Sequence, residues 1–322
     1  MQQAQFPVAE IGGCAVLIHP TCQPIALVTA EAARPLDEDL PPLCTALTHA
    51  GIAHEVVCWD DPDIDWARFG IVLLRSPWDY VPRLPEFLAF AEQAARLSQL
   101  QNPLAVIRWN TDKHYLQDLQ QAGVATVPSV FAEPGAAATQ ALSDFLAGDC
   151  DEFVIKPSVG AGSKEAARYH RDDFDRAKSH LQRLLEQGRS VLMQPYLARV
   201  DSHGETSLIY FDGIFSHAIR KGPLLARAAD PTGGLFAPEA ITARQPAPAE
   251  RQIADQVIAA LAADRRFQAL TPLLYVRIDL LSADDGTPRL LELETTEPSL
   301  FFNFSAGAAE RFVAALKQRM HR

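Results

Sequence analysis

The sequence predicts an α/β domain followed by two α+β subdomains that share a cleft. Three observations support this fold class: the chain has 322 residues, strands alternate with helices up to residue 108, and two hairpin patterns follow residue 200. A chain of this length exceeds one average domain. The predicted divisions are an N-terminal extension at 1–24, the α/β domain at 25–108, and subdomains at 109–196 and 197–322.

The α/β domain is predicted from hydrophobic periodicity. Leu40, Leu43 and Leu47 recur at helical spacing, and Gly51 is expected to end their helix. Buried strands and a second helix complete a βαβ pattern. In chain order these elements are strands at 25–29, 55–59 and 71–75 and a helix at 85–97.

The next segment opens with a polar run near residue 108. Asn110 or Thr111 is expected to cap a helix there. The apolar face of this helix carries Tyr115 and Leu119, and Gly123 should end it. From there to about residue 196, strands and short helices are expected to alternate.

The C-terminal part contains two clear local patterns. Antiparallel strands are predicted on either side of Asp212-Gly213, because this dipeptide favours the positive φ angles of a type I′ turn. The stretch 222–248 is rich in glycine, proline and alanine and too long for a simple connection, so it is predicted to be a functional loop or lid. An amphipathic helix is expected around 253–261 and a closing helix around 312–316.

Composition limits the class of protein. Hydrophobic residues make up 48% of the chain, and no apolar run approaches the roughly 20 residues of a membrane-spanning helix. The five cysteines are an odd number without a CxxC pair, which argues against a disulfide framework or a zinc site and favours the cytoplasm. The formal charge is −11 without a basic stripe, so no nucleic-acid partner is expected.

The most informative acidic residues lie on two strands around a turn near residue 285. Folding back symmetrically about this turn places Asp279 opposite Glu292. The same register places Arg277 opposite Glu294. Opposed carboxylates repel, so the arrangement calls for a cation, and Mg²⁺ prefers such oxygen ligands. The alternative is a solvated polar face on an edge hairpin.

Two further segments suit a nucleotide. Lys156 ends a buried-looking strand before the turn Gly160-Ala161-Gly162-Ser163, whose backbone N–H groups could bind phosphate. An ordinary strand connection explains this pattern about as well, since no Walker A or dinucleotide-binding motif is present. The junction Gln194-Pro195-Tyr196-Leu197 could bind an adenine edge through its backbone, or be a plain loop entry.

Seven short motifs occur in an order and spacing that resembles the ATP-grasp superfamily, between about residues 108 and 304. They are Asp112-Lys113, Ile155-Lys156-Pro157, Gln194-Pro195-Tyr196, Gly204-Glu205, Arg220-Lys221, Arg277-x-Asp279 and Glu292-x-Glu294. The last one begins a stretch similar to the Glu-x-Asn-x-x-x-Pro motif of bacterial glutathione synthetase. The resemblance implies an N-terminal α/β domain before a two-subdomain ATP-grasp fold, in which 109–196 is the lid subdomain.

The resemblance also implies a role for each matching residue. Magnesium, as two ions with Mn²⁺ as a substitute, would be bound by Asp279, Glu292 and Glu294, although the superfamily commonly has Asn at the last position. Arg220 and Arg277 would face the transferred phosphate and the acyl intermediate. ATP would contact Lys113, Lys156, Gly160, Ala161, Gly162, Ser163, Gln194, Pro195, Tyr196, Leu197 and Glu205.

Within the superfamily, stretches around Trp78 and Asn110 resemble the enzymes that close the D-cycloserine ring, which join a carboxylate and an aminooxy nitrogen of one molecule. This resemblance implies a small amino-acid-like substrate. The end of the strand at 71–75 is the predicted substrate site, formed by Arg75, Ser76, Trp78, Asp79 and Tyr80. Arg75 would bind a carboxylate and Asp79 an ammonium. The alternatives are that the aromatic residues belong to the core and that Arg75 and Asp79 pair with each other.

The predicted activity is therefore that of an ATP- and Mg²⁺-dependent carboxylate–amine ligase that works through an acyl phosphate. Two other functions stay open: a kinase-type enzyme that stops at a phosphorylated product, and a nucleotide-binding regulatory protein without turnover. Hydroxylamine, which yields a hydroxamate only from an acyl phosphate, separates the first from a ligase. The expected protein is cytoplasmic, has no membrane partner, and could form a homodimer.

Overall fold

The computed structural model describes residues 23–225 and 240–320. The predicted N-terminal extension therefore lies outside the described residues except for its last two positions, and so does the centre of the predicted glycine-rich loop. The described chain forms three sheets, one within each of the three predicted divisions. No helix in these two ranges is long and apolar enough to cross a membrane.

The first sheet is built from β1 (Ile25–Thr29), β2 (His54–Cys58), β3 (Ile71–Ser76) and β4 (Gln99–Gln101), with helices α1 (Leu40–His49) and α2 (Leu84–Leu97). Its strands are parallel in the order β2-β1-β3-β4, which confirms the predicted βαβ pattern. Every residue of β1 and β3 is buried, since helices cover both faces of a parallel sheet. The predicted strands and helices agree within about one residue at each end.

Two short helices, α3 (Leu104–Asn110) and α4 (Tyr115–Gln121), replace the single helix predicted after residue 110. Neither Asn110 nor Thr111 caps α4, because Asn110 ends α3 and a turn at 111–114 separates the two helices. The apolar face of α4 packs as predicted, in a cluster made mostly of residues from the third sheet and from the helix at 248–263.

The second sheet contains β5 (Val130–Ala132), β6 (Glu152–Pro157), β7 (Ala167–His170) and β8 (Val191–Pro195), with helices α5 (Ala138–Leu146) and α6 (Phe174–Glu186). Its strands are antiparallel in the order β5-β8-β6-β7. Phe153 and Ile155 of β6 pack under the helices. Lys156 therefore points to the other face of the sheet, where the candidate site lies.

The third sheet contains β9 (Glu205–Phe211), β10 (Ile214–Lys221), β11 (Ile241–Arg244), β12 (Tyr275–Ser282) and β13 (Pro288–Glu294). The helices of this part of the chain are α7 (Val200–His203), α8 (Pro248–Ala263) and the closing helix α9 (Ala308–Met320). The strand order is β11-β10-β9-β12-β13. Asp212 and Gly213 have φ angles of 49° and 77°, as the predicted type I′ turn requires. Short 3₁₀ turns lie at Trp66–Arg68, Val81–Arg83, Arg171–Asp173 and Phe302–Phe304.

The first and third sheets are fixed to each other through buried contacts. Helix α9 packs against α1 and against β9 and β10, which joins the two halves in one core. Asn102, just after β4, donates from Nδ2 to the carbonyl oxygens of Tyr275 (2.9 Å) and Thr295 (2.8 Å). Its Oδ1 accepts the N–H of Leu274 at 2.9 Å. One buried amide therefore sets the position of β12 and of the chain after β13.

Candidate active site

A cavity of about 520 Å³ lies where the three sheets meet. Its wall contains seven acidic and five basic side chains, an excess of two negative charges. The acidic residues are Glu38, Asp39, Glu205, Asp279, Glu292, Glu294 and Glu297, and the basic residues are Lys113, Lys156, Lys164, Lys221 and Arg277. A ligand in this cavity must therefore match both signs of charge over short distances.

The two strands that carry the predicted metal ligands pair in the predicted register. Asp279 lies opposite Glu292, and Arg277 lies opposite Glu294. The register shifts by one residue just beyond Asp279, so the pairs nearer the turn are offset from simple symmetry. The two predicted pairs lie on the far side of this irregularity and are confirmed.

Each of these three carboxylates is paired with a basic side chain. Arg277 Nη2 lies 2.9 Å from Asp279 Oδ2, and the same guanidinium binds Glu294. Lys113 Nζ lies 2.8 Å from Glu292 Oε1. These ion pairs relieve the repulsion from which a metal was predicted. Within residues 23–225 and 240–320, no group of three acidic, histidine or cysteine side chains is arranged to hold an ion.

The electrostatics of the cavity still favour an added cation. Burial raises the pKa of Glu294 to about 8, although Arg277 opposes this shift. Burial also raises the pKa of Glu205 and of Glu297 to about 7. The basic side chains therefore do not fully compensate the buried negative charge. The carboxylate oxygens on β12 and β13 fit Mg²⁺ in charge and in ligand type.

The predicted phosphate-binding residues come together in one corner of the cavity. Lys113 donates from Nζ to the Gly160 carbonyl at 3.0 Å, and its backbone N–H donates to the Ser158 carbonyl at 2.9 Å. Lys156 is half-buried beside them, and burial lowers its pKa. All four residues of the turn at 160–163 line the same wall. An anion in this corner would restore the full positive charge of Lys156.

The glycine-rich turn is held from outside the cavity by two arginines. Glu165, which follows the turn with a φ of 59°, is ion-paired with Arg183 at 2.8 Å and with Arg189. Arg189 also donates to the Val159 carbonyl at 3.1 Å. Both ends of the turn are therefore fixed to the chain at and after α6.

The predicted adenine-binding residues Gln194, Pro195, Tyr196 and Leu197 all line the cavity. Gln194 is buried, and its side-chain amide donates to Ser129 Oγ at 2.9 Å. The guanidinium of Arg168 lies over the ring of Tyr196, 3.5 Å from the ring centre. The backbone N–H of Leu197 donates to no group of the described chain and could therefore bind a ligand acceptor.

Glu205 lines the cavity at the start of β9, opposite Lys221 at the end of β10. Lys221 Nζ lies 2.7 Å from Glu205 Oε1 and 3.3 Å from Asp279 Oδ2. Gly204 makes this close approach possible: a Cβ at that position would lie 2.4 Å from the Lys221 carbonyl oxygen. Glu205 and Lys221 therefore extend the charged wall next to Asp279.

Arg220 is not in the cavity, and its predicted role at the transferred phosphate is wrong for this structure. Its guanidinium donates to the backbone carbonyls of His203 at 2.7 Å and Ser202 at 3.1 Å. Neighbouring residues of a strand face opposite sides, so only one of Arg220 and Lys221 can reach the site. A β-bulge at 215–217 shifts the hairpin register and directs Lys221 inward.

The predicted substrate residues divide into two groups. Trp78 and Tyr80 line the cavity, as a substrate role requires. Tyr80 also belongs to the hydrophobic core of the first sheet and Trp78 packs against that core, so the alternative of core aromatic residues is confirmed as well. Trp78 Nε1 donates to the Glu297 carbonyl at 3.0 Å. Tyr80 is buried and stacks on Phe87 at 4.5 Å, and its hydroxyl partly offsets the rise that burial causes in the pKa of Glu297.

Arg75, Ser76 and Asp79 do not reach the cavity, and the substrate roles predicted for them do not fit this structure. Arg75 is fully buried and lies 3.4 Å from Asp39. Ser76 Oγ shares a hydrogen bond of 2.8 Å with the Thr29 hydroxyl of β1. Asp79 binds Arg83 at 2.7 Å. Side chains at the end of a parallel strand can thus be used to join elements rather than to bind ligands, although Arg75 and Asp79 do not pair with each other.

Sequence reasoning missed three residues that shape the site. Lys221 was missed because the bulge at 215–217 changes which residue of β10 faces the site. Glu297 was missed because it lies beyond β13, where no periodic pattern predicts its direction. Asn110 was interpreted as a helix cap, but its Nδ2 donates to the Leu293 carbonyl at 2.7 Å and its Oδ1 accepts the Thr295 N–H at 2.8 Å. It therefore fixes the strand that carries Glu292 and Glu294.

Comparison with known proteins agrees with this geometry. Residues 25–102 match the family model described as the N-terminal domain of D-cycloserine synthetase DcsG. The chain is 42% identical to the cycloserine biosynthesis protein DcsG of Streptomyces lavendulae over 299 residues, which cover 92% of this chain and 98% of that protein.

Solved structures show the same relationship. A crystal structure of D-cycloserine synthetase DcsG superposes with a TM-score of 0.85 and 40% identity, covering 92% of this chain and 99% of the other. The ATP-grasp ligase PsnB, complexed with a minimal precursor, Mg and ADP, has a TM-score of 0.59 and 19% identity, covering 92% and 98%. The similarity to PsnB, at 19% identity, shows only a shared fold. The protein is an ATP-grasp ligase, and it belongs to the DcsG family of D-cycloserine synthetases.

Proposed function

We propose that this enzyme closes the D-cycloserine ring by joining the carboxylate and the aminooxy nitrogen of O-amino-D-serine, the open-chain form of that ring. The observation that carries the proposal is the 42% identity to DcsG over nearly the whole of both chains. The cavity supports it, because one wall suits a nucleotide phosphate and another offers two aromatic rings and a carboxylate.

ATP is proposed to bind with its phosphates at Lys113, Lys156 and the turn at 160–163. Backbone N–H groups and two lysines in this corner supply the positive charge that a triphosphate needs. The adenine is proposed to lie against residues 194–197, where the Leu197 N–H is available. Glu205 stays the predicted contact for the ribose or adenine end of the nucleotide.

Magnesium is proposed to bind at Asp279, Glu292 and Glu294. The fit rests on their oxygen donors and on the uncompensated negative charge around them. When bound there, the ion would neutralise phosphate oxygens of ATP. Lys113, which pairs with Glu292 in this structure, would then be available to the phosphate, and Arg277 would keep its direction toward the substrate carboxyl group.

The reaction proposed at this site has two steps. A substrate carboxylate oxygen attacks the γ-phosphorus of ATP, the bond to the bridging oxygen breaks, and ADP leaves an acyl phosphate behind. The aminooxy nitrogen then attacks the acyl carbon, the C–O bond to phosphate breaks, and the nitrogen loses a proton. Arg277 is proposed to stabilise the negative charge on the acyl oxygen. Positioning by the cavity supplies most of the remaining rate.

Isotope transfer tests this proposal. O-amino-D-serine labelled with ¹⁸O in its carboxylate should give D-cycloserine, ADP, and phosphate that carries one ¹⁸O atom from the substrate. Glu292→Gln should lose this turnover, and Glu310→Gln, on the exposed face of α9, is its matched active control. Formation of AMP, or phosphate without label, would rule out the acyl phosphate. ATP turnover that gives a phosphorylated product but neither a ring nor, with hydroxylamine, a hydroxamate would instead indicate the kinase-type activity.

Three finer properties are also proposed. Two metal ions with Mn²⁺ as a substitute would be measured by metal titration of ATP turnover. A homodimer would be measured by light scattering of the purified chain. A cytoplasmic location is proposed because the reaction consumes ATP.

A further inference from the structure

Among the buried and half-buried carboxylates of the cavity in the described ranges, one has no basic partner. Glu205, Asp279, Glu292 and Glu294 are each ion-paired with Lys113, Lys221 or Arg277. Glu297 is half-buried in the same wall, yet no lysine or arginine of the described ranges lies within ion-pair distance of it. A cation supplied by a ligand would stabilise a half-buried carboxylate in this position.

The surroundings of Glu297 form a defined pocket wall. Its backbone carbonyl accepts the indole N–H of Trp78 at 3.0 Å. The Tyr80 hydroxyl acts on the Glu297 carboxylate, and the Tyr80 ring is held by stacking on Phe87. The Glu297 carboxylate keeps hydrogen-bonding capacity for a ligand, since two oxygens provide about four acceptor sites.

We propose that Glu297 binds the α-ammonium group of the substrate, with Trp78 and Tyr80 as the adjoining wall. This inference rests on the proposed function and names the group that selects an amino acid in the same cavity. This role replaces the ammonium-binding role predicted for Asp79, because the Asp79 carboxylate is ion-paired with Arg83. A charge-assisted pair of this kind orients the substrate as well as holding it.

The chemistry of the substrate favours its α-ammonium over its aminooxy group as the partner of Glu297. An aliphatic α-amine is protonated at neutral pH and so carries the positive charge that an unpaired carboxylate requires. An aminooxy nitrogen is weakly basic and already neutral, so its attack needs no carboxylate to remove a first proton. Lys113 and Arg277 act electrostatically on Glu297 from the adjacent wall. A short zwitterion can therefore place its carboxylate toward them and its ammonium toward Glu297.

A comparison of two substrates isolates this contact. O-amino-D-serine carries the α-ammonium, and 3-(aminooxy)propanoate lacks it while keeping both reacting groups. For Glu297→Gln, kcat/KM with the first substrate should fall by about tenfold or more, while kcat/KM with the second and the KM for ATP stay within about twofold. Glutamine at 297 keeps a side-chain oxygen beside the Tyr80 hydroxyl. Two variants serve as controls: Glu297→Asp retains the carboxylate charge, and Glu310→Gln removes an exposed carboxylate charge.

Each outcome decides the inference. An equal loss on both substrates would assign Glu297 to catalysis or structure, and no loss on either would remove it from the site. If the wild-type enzyme cyclises neither substrate, the proposed function fails and a binding measurement takes over. With an unreactive ATP analogue present, D-serine should then bind about tenfold more tightly than D-glycerate, and Glu297→Gln should abolish the difference. Equal binding of the two compounds by the wild type, or binding of neither, would overturn the inference.

Discussion

Asp39 and Arg75 form a buried pair whose two members should respond differently to substitution. Asp39 accepts the backbone N–H groups of Leu300, Phe301 and Phe302 at 2.5, 3.1 and 2.8 Å, and Arg75 Nη2 lies 3.4 Å away. Arg75 is fully buried, and its Nε and Nη1 have no hydrogen-bond partner within the described ranges. Asp39 therefore has other donors, whereas Arg75 has no second carboxylate.

This asymmetry sets the expected magnitudes. Asp39→Asn should lower the free energy of unfolding by about 3–5 kcal/mol, because it leaves the guanidinium buried without a counter-charge. Arg75→Met should lower it by only about 1–2 kcal/mol, because three backbone N–H groups still stabilise the Asp39 carboxylate. The double variant should be more stable than Asp39→Asn alone, since methionine removes the unpaired charge.

Urea unfolding followed by far-ultraviolet circular dichroism measures these differences when the slopes agree between variants. Arg83→Met is the control, because the pairs of Arg83 with Asp60 and Asp79 are a third exposed and should contribute less than about 1 kcal/mol. An Arg75→Met variant as unstable as Asp39→Asn would contradict the reasoning, and so would additive losses in the double variant. A raised KM for the amino-acid substrate in Arg75→Met would return Arg75 to the substrate site.

Three further predictions follow from the cavity and the turn beside it. Glu292→Gln should lower ATP turnover by about 100-fold or more in a phosphate-release assay, and its unfolding free energy should fall rather than rise because the Lys113 pair is lost. Arg189→Gln should speed hydrogen exchange at 158–166 and weaken ATP binding by about tenfold, whereas Lys178→Gln on the same helix region should change neither. Burial lowers the pKa of His114, but bonds to two carboxylates outweigh burial and raise it. The stabilisation is complete below the unfolded value of 6.5 and is lost as the pH rises through the raised pKa, so the unfolding free energies of wild type and His114→Phe should converge in urea unfolding as the pH rises above 6.5.

The fold was largely predictable because its elements carry strong local signals. The strands at the centre of the first sheet are continuous apolar runs, and Asp212-Gly213 determines its hairpin through backbone conformation alone. The break between α3 and α4 was not predictable in the same way. Asn110 has the chemistry of a helix cap, and only the tertiary structure shows that its amide binds β13 instead.

The site was predictable where side-chain direction follows simple alternation, and not where a strand changes its register. Asp279 and Glu292 oppose each other as symmetry about the turn requires. The same symmetry applied to the hairpin of β9 and β10 would place Arg220 opposite Glu205. The bulge at 215–217 moves Lys221 into that position. The residues of the bulge carry no sequence signal from which it could be predicted. A single irregularity therefore exchanged one basic residue for its neighbour in the predicted site.

Ion pairs explain how the cavity accommodates carboxylates that face each other across two strands. Opposed carboxylates on β12 and β13 would destabilise the sheet, but Lys113 and Arg277 pair with them in this structure. The two basic residues are not equivalent. Lys113 carries its charge on a flexible stem and can move from Glu292 to a phosphate, whereas the planar guanidinium of Arg277 is held by Asp279, by Glu294 and by the Ser299 carbonyl at 3.2 Å. Under the proposed function, the lysine is therefore suited to exchange partners when nucleotide binds, and the arginine is suited to keep its direction toward the acyl group.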